Sequence, residues 1–444
     1  MESTLQFRRQ PVPRAALAAP RTSPLPVYFA AILGYLLLLP PQLNVTIAES
    51  VIPPYRFFLI GASLYVLGTT ARGRLRPSLP DFCILLSIVW ICIAMSITST
   101  TKVAVTASVA HTADIGLAYF FARMAFRDLQ DFRRFLILIL PGVLITAIIV
   151  MIEAVTFTHL IQPFFSKLTG KPFVYLSSPR MGLMRAQGPF AHPISAGIFL
   201  GSFLSLYWLS GFKGWVRAVG AIAAFGSFFS VSSAAFLSLF GAGALLVYNW
   251  LTQQIANLSW RAFFLVAAIF VFVGELGTKA GTFGLLVRFT SLDTNTGYQR
   301  INIWNYGTQN VRRHPWFGLG YGDWDRPAWM TSSVDNYWLL TAMRFGILPS
   351  VLLSFATVMA ILLLMKKSMS STGADQQTER GVAIAMAIFG LGLVSVAVWL
   401  SVQVWYYMLL GITVSLAMAL VPQMQRRPQF VVPPVPVRPA LQRR

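Results

Sequence analysis

Arg133–Val155 reads RRFLILILPGVLITAIIVMIEAV, and the 18 residues from Phe135 to Ile152 carry no charge. A helix rises 1.5 Å per residue, so about 20 apolar residues cross the hydrocarbon core of a bilayer. Similar runs recur along the chain. Candidate spans fall at 26–43, 54–71, 80–97, 103–121, 133–155, 191–210, 215–230, 233–250, 260–276, 336–364, 380–399 and 401–420. The expected fold is therefore all-α: a polytopic integral membrane protein with about 12 transmembrane helices.

Composition agrees. Of 444 residues, 56% are hydrophobic and 11% charged, with a mean hydropathy of +0.65. Those values lie outside the soluble globular range. The net charge of +21 comes from 35 Lys and Arg against 14 Asp and Glu. In a soluble protein that excess would suggest nucleic acid. Here it sorts by position instead. With the N-terminus in the cytoplasm, RRQPVPR, ARGRLR, ARMAFRDLQDFRR, FKGWVR, KKSMS and the Arg-containing tail all fall inside, and the short outside turns carry almost no basic residues. This positive-inside pattern predicts both termini cytoplasmic and no nucleic-acid partner. Cys83 and Cys92 share one apolar segment, a spacing that suits neither an intrahelical disulfide nor a metal motif.

The expected organisation is a basic cytoplasmic segment at 1–25, spans one to five over 26–155, a long outside loop at 156–190, spans six to nine over 191–276, a second long outside loop at 277–335, spans ten to twelve over 336–420, and a Pro/Arg-rich tail at 421–444. Both long loops are basic. The first holds Arg180 and Arg185 and leads to His192; the second holds Arg288, Arg300 and Arg313 and leads to Asp335 and Asn336. Translocated loops rarely concentrate arginine, so this excess points to an anionic substrate. A lipid phosphate or polyprenyl pyrophosphate fits the setting. Neither a P-loop nor a strand–GxGxxG–helix unit occurs.

From Gly297 to Asn310 the second loop predicts an amphipathic helix with Arg300 and Trp304 four apart, closed by His314-Pro315. Gly318, Gly320 and Gly322 allow backbone N–H groups to approach a ligand. Ser332, Ser333 or Asp335 could cap the next helix, whose N-terminus favours an anion. Tyr337, Trp338, Trp324 and Trp329 could stack on sugar faces or belong to an interfacial belt. Glu153, His111 and Asp114 are the ionisable residues expected inside spans, as structural pairs or groove-lining groups.

RAQGPFAHP (185–193), GYQRINIWNYGTQNVRRHPWFGLGYG (297–322) and DNYWLLTAMRFG (335–346) resemble the O-antigen ligase and O-antigen polymerase superfamily. The resemblance implies a GT-C-type glycosyltransferase of the bacterial inner membrane with its two long loops periplasmic. It implies an undecaprenyl-pyrophosphate-linked oligosaccharide donor and a lipid-linked glycan acceptor, with no cofactor and no metal. A flippase and a chain-length regulator are the implied protein partners. On this reading Arg185, Arg300 and Asp335 are catalytic. Arg180, Arg288, Arg313, His192, His314, Trp304, Asn336 and Tyr337 bind substrate. The chain departs from the family at Gln299, where Gly precedes the arginine, at Asp335 in place of a ligase-like histidine, and at Arg344 in place of glutamate. The middle-span serine-arginine element reads SVSSAA here. These departures favour a polymerase of exopolysaccharide or O-antigen repeat units over a ligase acting on lipid A-core. A transporter or flippase for lipid-linked oligosaccharide is the reading from another class.

The orientation is testable. Cysteines introduced at Ser178 and Ser332 should react with an impermeant thiol reagent on intact cells. Reaction of both only after lysis would reverse the topology.

Overall fold

The computed structural model describes residues 25–47, 50–70, 76–173, 179–277, 281–290, 294–395 and 400–419. The basic N-terminal segment and the Pro/Arg-rich tail lie outside the described residues, apart from Leu25. The helices are α1 Leu25–Leu36, α2 Pro54–Thr70, α3 Leu79–Thr98, α4 Thr101–His111, α5 Ala118–Ala125, α6 Leu129–Thr156, α7 Ile161–Thr169, α8 Pro193–Trp208, α9 Trp215–Phe225, α10 Ser233–Gln254, α11 Trp260–Gly277, α12 Gly281–Thr290, α13 Thr294–Arg313, α14 Tyr337–Phe345, α15 Ile347–Ser368, α16 Gly373–Gly392 and α17 Leu400–Met418. A π-turn over Thr112–Leu117 joins α4 to α5 as one continuous helix. Between α1 and α2 runs a short antiparallel hairpin, β1 Val45–Ile47 with β2 Ser50–Ile52, in which Thr46 faces Val51.

The protein is an all-α, multi-pass membrane protein, but the expected GT-C-like bundle of about twelve spans is corrected. Among the described residues, seven helices are long and apolar enough to cross a membrane: Leu79–Thr98, Thr101–Ala125, Leu129–Thr156, Ser233–Gln254, Trp260–Gly277, Ile347–Ser368 and Ser401–Met418. The other five candidate segments are helical but shorter or more polar. The chain leaves α1 after 12 residues, ahead of Pro40 and Pro41, which cannot donate a helical hydrogen bond. α2 has 17 residues and α8 has 16. α9 gives way to a 3₁₀ turn at Gly226–Ser230. α16 has 20 residues but opens with GADQQTERG. A hydropathy count cannot distinguish an apolar residue that faces lipid from one that faces protein. In α8 every residue from Pro193 to Tyr207 is buried, so its apolarity reflects a protein core.

The span expected at 336–364 is likewise two helices, α14 and α15, parted at Gly346. Gly346 has φ +86 and ψ 172, a region open essentially to glycine alone. A side chain there would overlap the Trp316 carbonyl. That carbonyl also accepts a 2.9 Å hydrogen bond from Trp90 Nε1 of α3.

α17 is the centre of the bundle. Residues Val402 to Leu416 are buried, with Trp405, Tyr406 and Tyr407 fully enclosed. Trp405 Nε1 donates to Ser202 Oγ of α8 at 3.0 Å, so the indole satisfies its donor inside the core. α11 is the opposite case. Leu265, Val266, Phe272 and Leu276 are all exposed, an apolar surface suited to lipid.

The two ends of the bundle differ in charge balance. At one end Arg123 of α5 pairs with Asp81 of α3 at 2.9 Å, and Arg133 of α6 with Asp375 of α16 at 2.8 Å. Lys367 of α15 lies 3.4 Å from Glu379 and donates to the Leu416 carbonyl of α17 at 2.5 Å. This is the end that the positive-inside count assigns to the cytoplasm. At the other end stand the last turn of α6, helices α7 and α13, and the first turns of α8 and α14.

Gly346→Ala should cost about 3 kcal/mol or more, because it adds backbone strain to an overlap with a fixed carbonyl. Gly373→Ala, at φ +61 with nothing within 4 Å of its added carbon, should cost about 1 kcal/mol. Melting of the two variants in detergent measures the difference. Equal losses would remove the Trp316 contact as the reason for the break.

Candidate functional site

Glu153 lies in the last turn of α6 and is fully buried. A carboxylate held there needs donors, and it takes them from the backbone. Its Oε1 accepts from the N–H groups of Leu160 at 2.9 Å and Ile161 at 3.4 Å. Its Oε2 accepts from Gly188 at 2.8 Å and Gln187 at 3.3 Å. Gln162 of α7 reinforces the same segment, donating to the carbonyls of Phe190 at 2.9 Å and Gly188 at 3.3 Å. The Met184 N–H donates to the Ala154 carbonyl at 3.1 Å. Residues 184–190 are thus fixed from both ends, and Arg185 lies among them.

Just before it, Arg180 and Leu183 exchange backbone hydrogen bonds of 2.9 and 3.0 Å around Met181 and Gly182, both at positive φ. This tight turn aims Arg180 at α13, where its Nη2 donates to Thr296 Oγ1 at 3.1 Å. α13 matches the predicted amphipathic helix, ends before His314-Pro315 as expected, and is longer than the predicted 297–310. One turn after Thr296 it brings in Arg300, which is 4% exposed.

Arg180, Arg185 and Arg300 are near enough to repel one another. Burial first, then Arg180 and Arg300, push the Arg185 guanidinium down to about 10, and Asp335 opposes the shift. Burial also lowers Arg300, with Asp335 opposing and Arg180 adding. Arg185 Nε is buried without a hydrogen-bond partner among the described residues. Arg185 and Arg300 both feel the charge of Asp335, and both feel that of Arg180. His192 completes the cluster. Its Nδ1 accepts from the Ile194 N–H at 3.1 Å, capping α8. Burial and Arg185 push it down to about 4. At neutral pH it is uncharged, and the cap leaves the proton on Nε2, where it can only donate.

Asp335 is free of the capping role considered for it. The cap of α14 is Asn336, whose Oδ1 accepts from the Leu339 N–H at 3.1 Å. Asp335 Oδ1 accepts instead from Ser333 Oγ at 2.7 Å, which orients the carboxylate beside the arginines.

Other expected site residues lie elsewhere. Arg313 is exposed and pairs with Asp325, and His314 is exposed at the end of α13. Trp304 stacks on Phe283 of α12, with centroids 4.4 Å apart. Tyr337 is buried, its hydroxyl 2.5 Å from that of Tyr407; core packing claims it. The side chain of Arg288 lies outside the described residues. The backbone N–H groups of the glycine loop that could approach a ligand are bonded within the protein. The N–H groups of Leu319 and Gly320 donate to the carbonyls of Met343 and Arg344 at 2.8 and 2.9 Å, and those of Gly318 and Gly322 to His314 and Leu319 at 3.2 and 3.1 Å. The loop is a strap across the end of α14.

Among the described residues, no three or more His, Cys, Asp or Glu side chains form a group that could hold a metal. No family model and no curated protein matches this chain.

Holding Arg185 charged in a partly buried cluster of like charge opposes folding. Arg185→Met keeps the aliphatic stem and removes the charge. It should raise the melting stability of the ligand-free protein by about 0.5–2 kcal/mol. A lower melting temperature in detergent would show that Arg185 supports the fold.

Proposed function

We propose that this chain is a glycosyltransferase that takes a glycan from a polyprenyl pyrophosphate and passes it to a hydroxyl of a second lipid-linked glycan. It would thereby polymerise repeat units of an exopolysaccharide or O-antigen at the periplasmic face of a bacterial inner membrane. The observation that supports this reading is that Arg180, Arg185 and Arg300 lie close to one another, with Asp335 acting on Arg185 and Arg300. The resemblance of the same three segments to O-antigen polymerases points the same way.

Charge builds on the pyrophosphate as the glycosidic bond breaks. Preorganised guanidiniums stabilise that charge through planar paired donors, and Arg185 Nε is an open donor. His192 Nε2–H is a further donor. Asp335 is the group for the acceptor hydroxyl, orienting it and accepting its proton as the new bond forms. Beside His192 lies an apolar pocket of about 160 Å³, lined by Leu36, Leu39, Pro54, Phe190 and Ala191 among others. That pocket suits the first isoprenes of a lipid whose diphosphate rests on the arginines. Transport is less well supported. Within the spans Asp114 is held by Arg56 at 2.6 and 2.8 Å, His111 by the Tyr321 hydroxyl at 3.0 Å, and Glu153 by backbone amides.

Asp335→Asn should melt as wild type does and lower single-turnover transfer by about ten- to ten-thousandfold. Asn336→Ala should cost about 0.5–2 kcal/mol of stability through the lost cap, with a smaller effect on the chemical step. Arg300→Ala should abolish transfer, and Arg300→Lys should restore little. Transfer from a purified lipid-linked donor checks all three. Wild-type turnover in Asp335→Asn would place the base elsewhere.

A further inference from the structure

Arg344 stands in the last turn of α14, outside the cluster just described. Its guanidinium lies over the Tyr321 ring, 4.8 Å from the centroid. With Gly320, Gly322, Trp324 and Ser332 it lines a cleft of about 290 Å³. Among the described residues no carboxylate and no hydrogen-bond acceptor engages it. The nearby acids are committed: Asp323 pairs with Arg326, and Asp114 is bidentate to Arg56. Tyr321 is held by His111, so the ring beneath the guanidinium is fixed. The glycine strap binds the carbonyls of Met343 and Arg344 themselves, so the backbone under the side chain is fixed too. A preorganised, partly desolvated cation facing an open cleft is poised for an anion.

An apolar group lines one part of this cleft. Ile303, Trp324, Val334, Leu339, Leu340 and Met343 form a compact apolar group of their own. Ile303 is one turn beyond Arg300 on α13, and Val334 adjoins Asp335. Arg344 lines the cleft, and Arg185, Arg300 and Asp335 are not among its lining residues. Two anionic headgroups repel each other, and separate cations let both be held.

We propose that Arg344 anchors a second phosphate-class anion in this cleft, the phosphate or diphosphate of the acceptor lipid. The assignment rests on the transfer reaction proposed above. Arg344 is then a binding residue for the acceptor, as Arg185 and Arg300 are for the donor.

The test is a titration of the purified full chain in detergent with a short-chain polyprenyl pyrophosphate and, separately, with inorganic pyrophosphate. Wild type should show two sites. Arg344→Gln should lose one, with at least tenfold weaker binding there, and Arg300→Gln should lose the other. Arg344→Lys should keep the second site in weakened form, and it replaces the glutamine variant should that fail to melt as wild type does. Tenfold tighter binding of the lipid than of pyrophosphate at the Arg344 site identifies a lipid headgroup; equal binding identifies a free anion. A single wild-type site, lost in Arg300→Gln and intact in Arg344→Gln, overturns the second subsite and leaves the donor reading standing. A site lost in Arg344→Gln while Arg300→Gln binds normally sustains the cleft and removes the donor reading.

Discussion

A carboxylate buried at the end of a membrane helix must find donors, and Glu153 finds them in the backbone of the two segments that build the site. Glu153 is fully buried, so leaving any of these bonds unmade costs more than it would at a surface. The four N–H groups come from the start of α7 and from the strand of chain that carries Arg185. One interaction therefore ends α6, orients α7 and fixes an arginine. Gln162 and the Met184–Ala154 bond then restrict the same segment further. The precision of the arginine cluster depends on this buried acid, which itself touches no part of the cluster's chemistry.

Charge is paired unevenly across the bundle. At the basic end the arginines and lysine that reach into the helix termini meet acids or carbonyls: Arg123 with Asp81, Arg133 with Asp375, Lys367 with Glu379 and Leu416. Those bonds tie α3, α5, α6, α15, α16 and α17 together. At the other end Arg56, Arg313 and Arg326 pair with Asp114, Asp325 and Asp323, whereas Arg185 and Arg300 lie near Arg180 with Asp335 as the acid that opposes their shifts. Uncompensated buried charge is destabilising.

Glycines and aromatics at the site end serve packing before chemistry. The run from Trp316 to Tyr321 lies against α3 and the end of α14, and the amides of Gly318, Leu319 and Gly320 are taken by carbonyls of the protein. Gly346 exists because a carbonyl occupies the space of a side chain. Tyr337 and Trp304 are held by Tyr407 and Phe283. Residue types that read as ligand contacts in one dimension are here the frame that sets Arg344 and Asp335 in place.

Several features were legible in the sequence because they depend on local composition. The membrane class follows from the uncharged runs, the amphipathic α13 from its periodicity, and its end from His314-Pro315. Other features depend on what each residue faces, and only the tertiary structure decides that. Hydropathy is blind to whether an apolar helix meets lipid or protein, so α8 looked like a span when it is a core helix, and twelve candidates became seven. Spacing could not tell that Asn336 rather than Asp335 caps α14, that Glu153 clamps backbone rather than lines a groove, or that Arg344 has an open cleft before it. Each is settled by partners distant in sequence, because a charged or polar group is defined by the atoms that surround it in three dimensions.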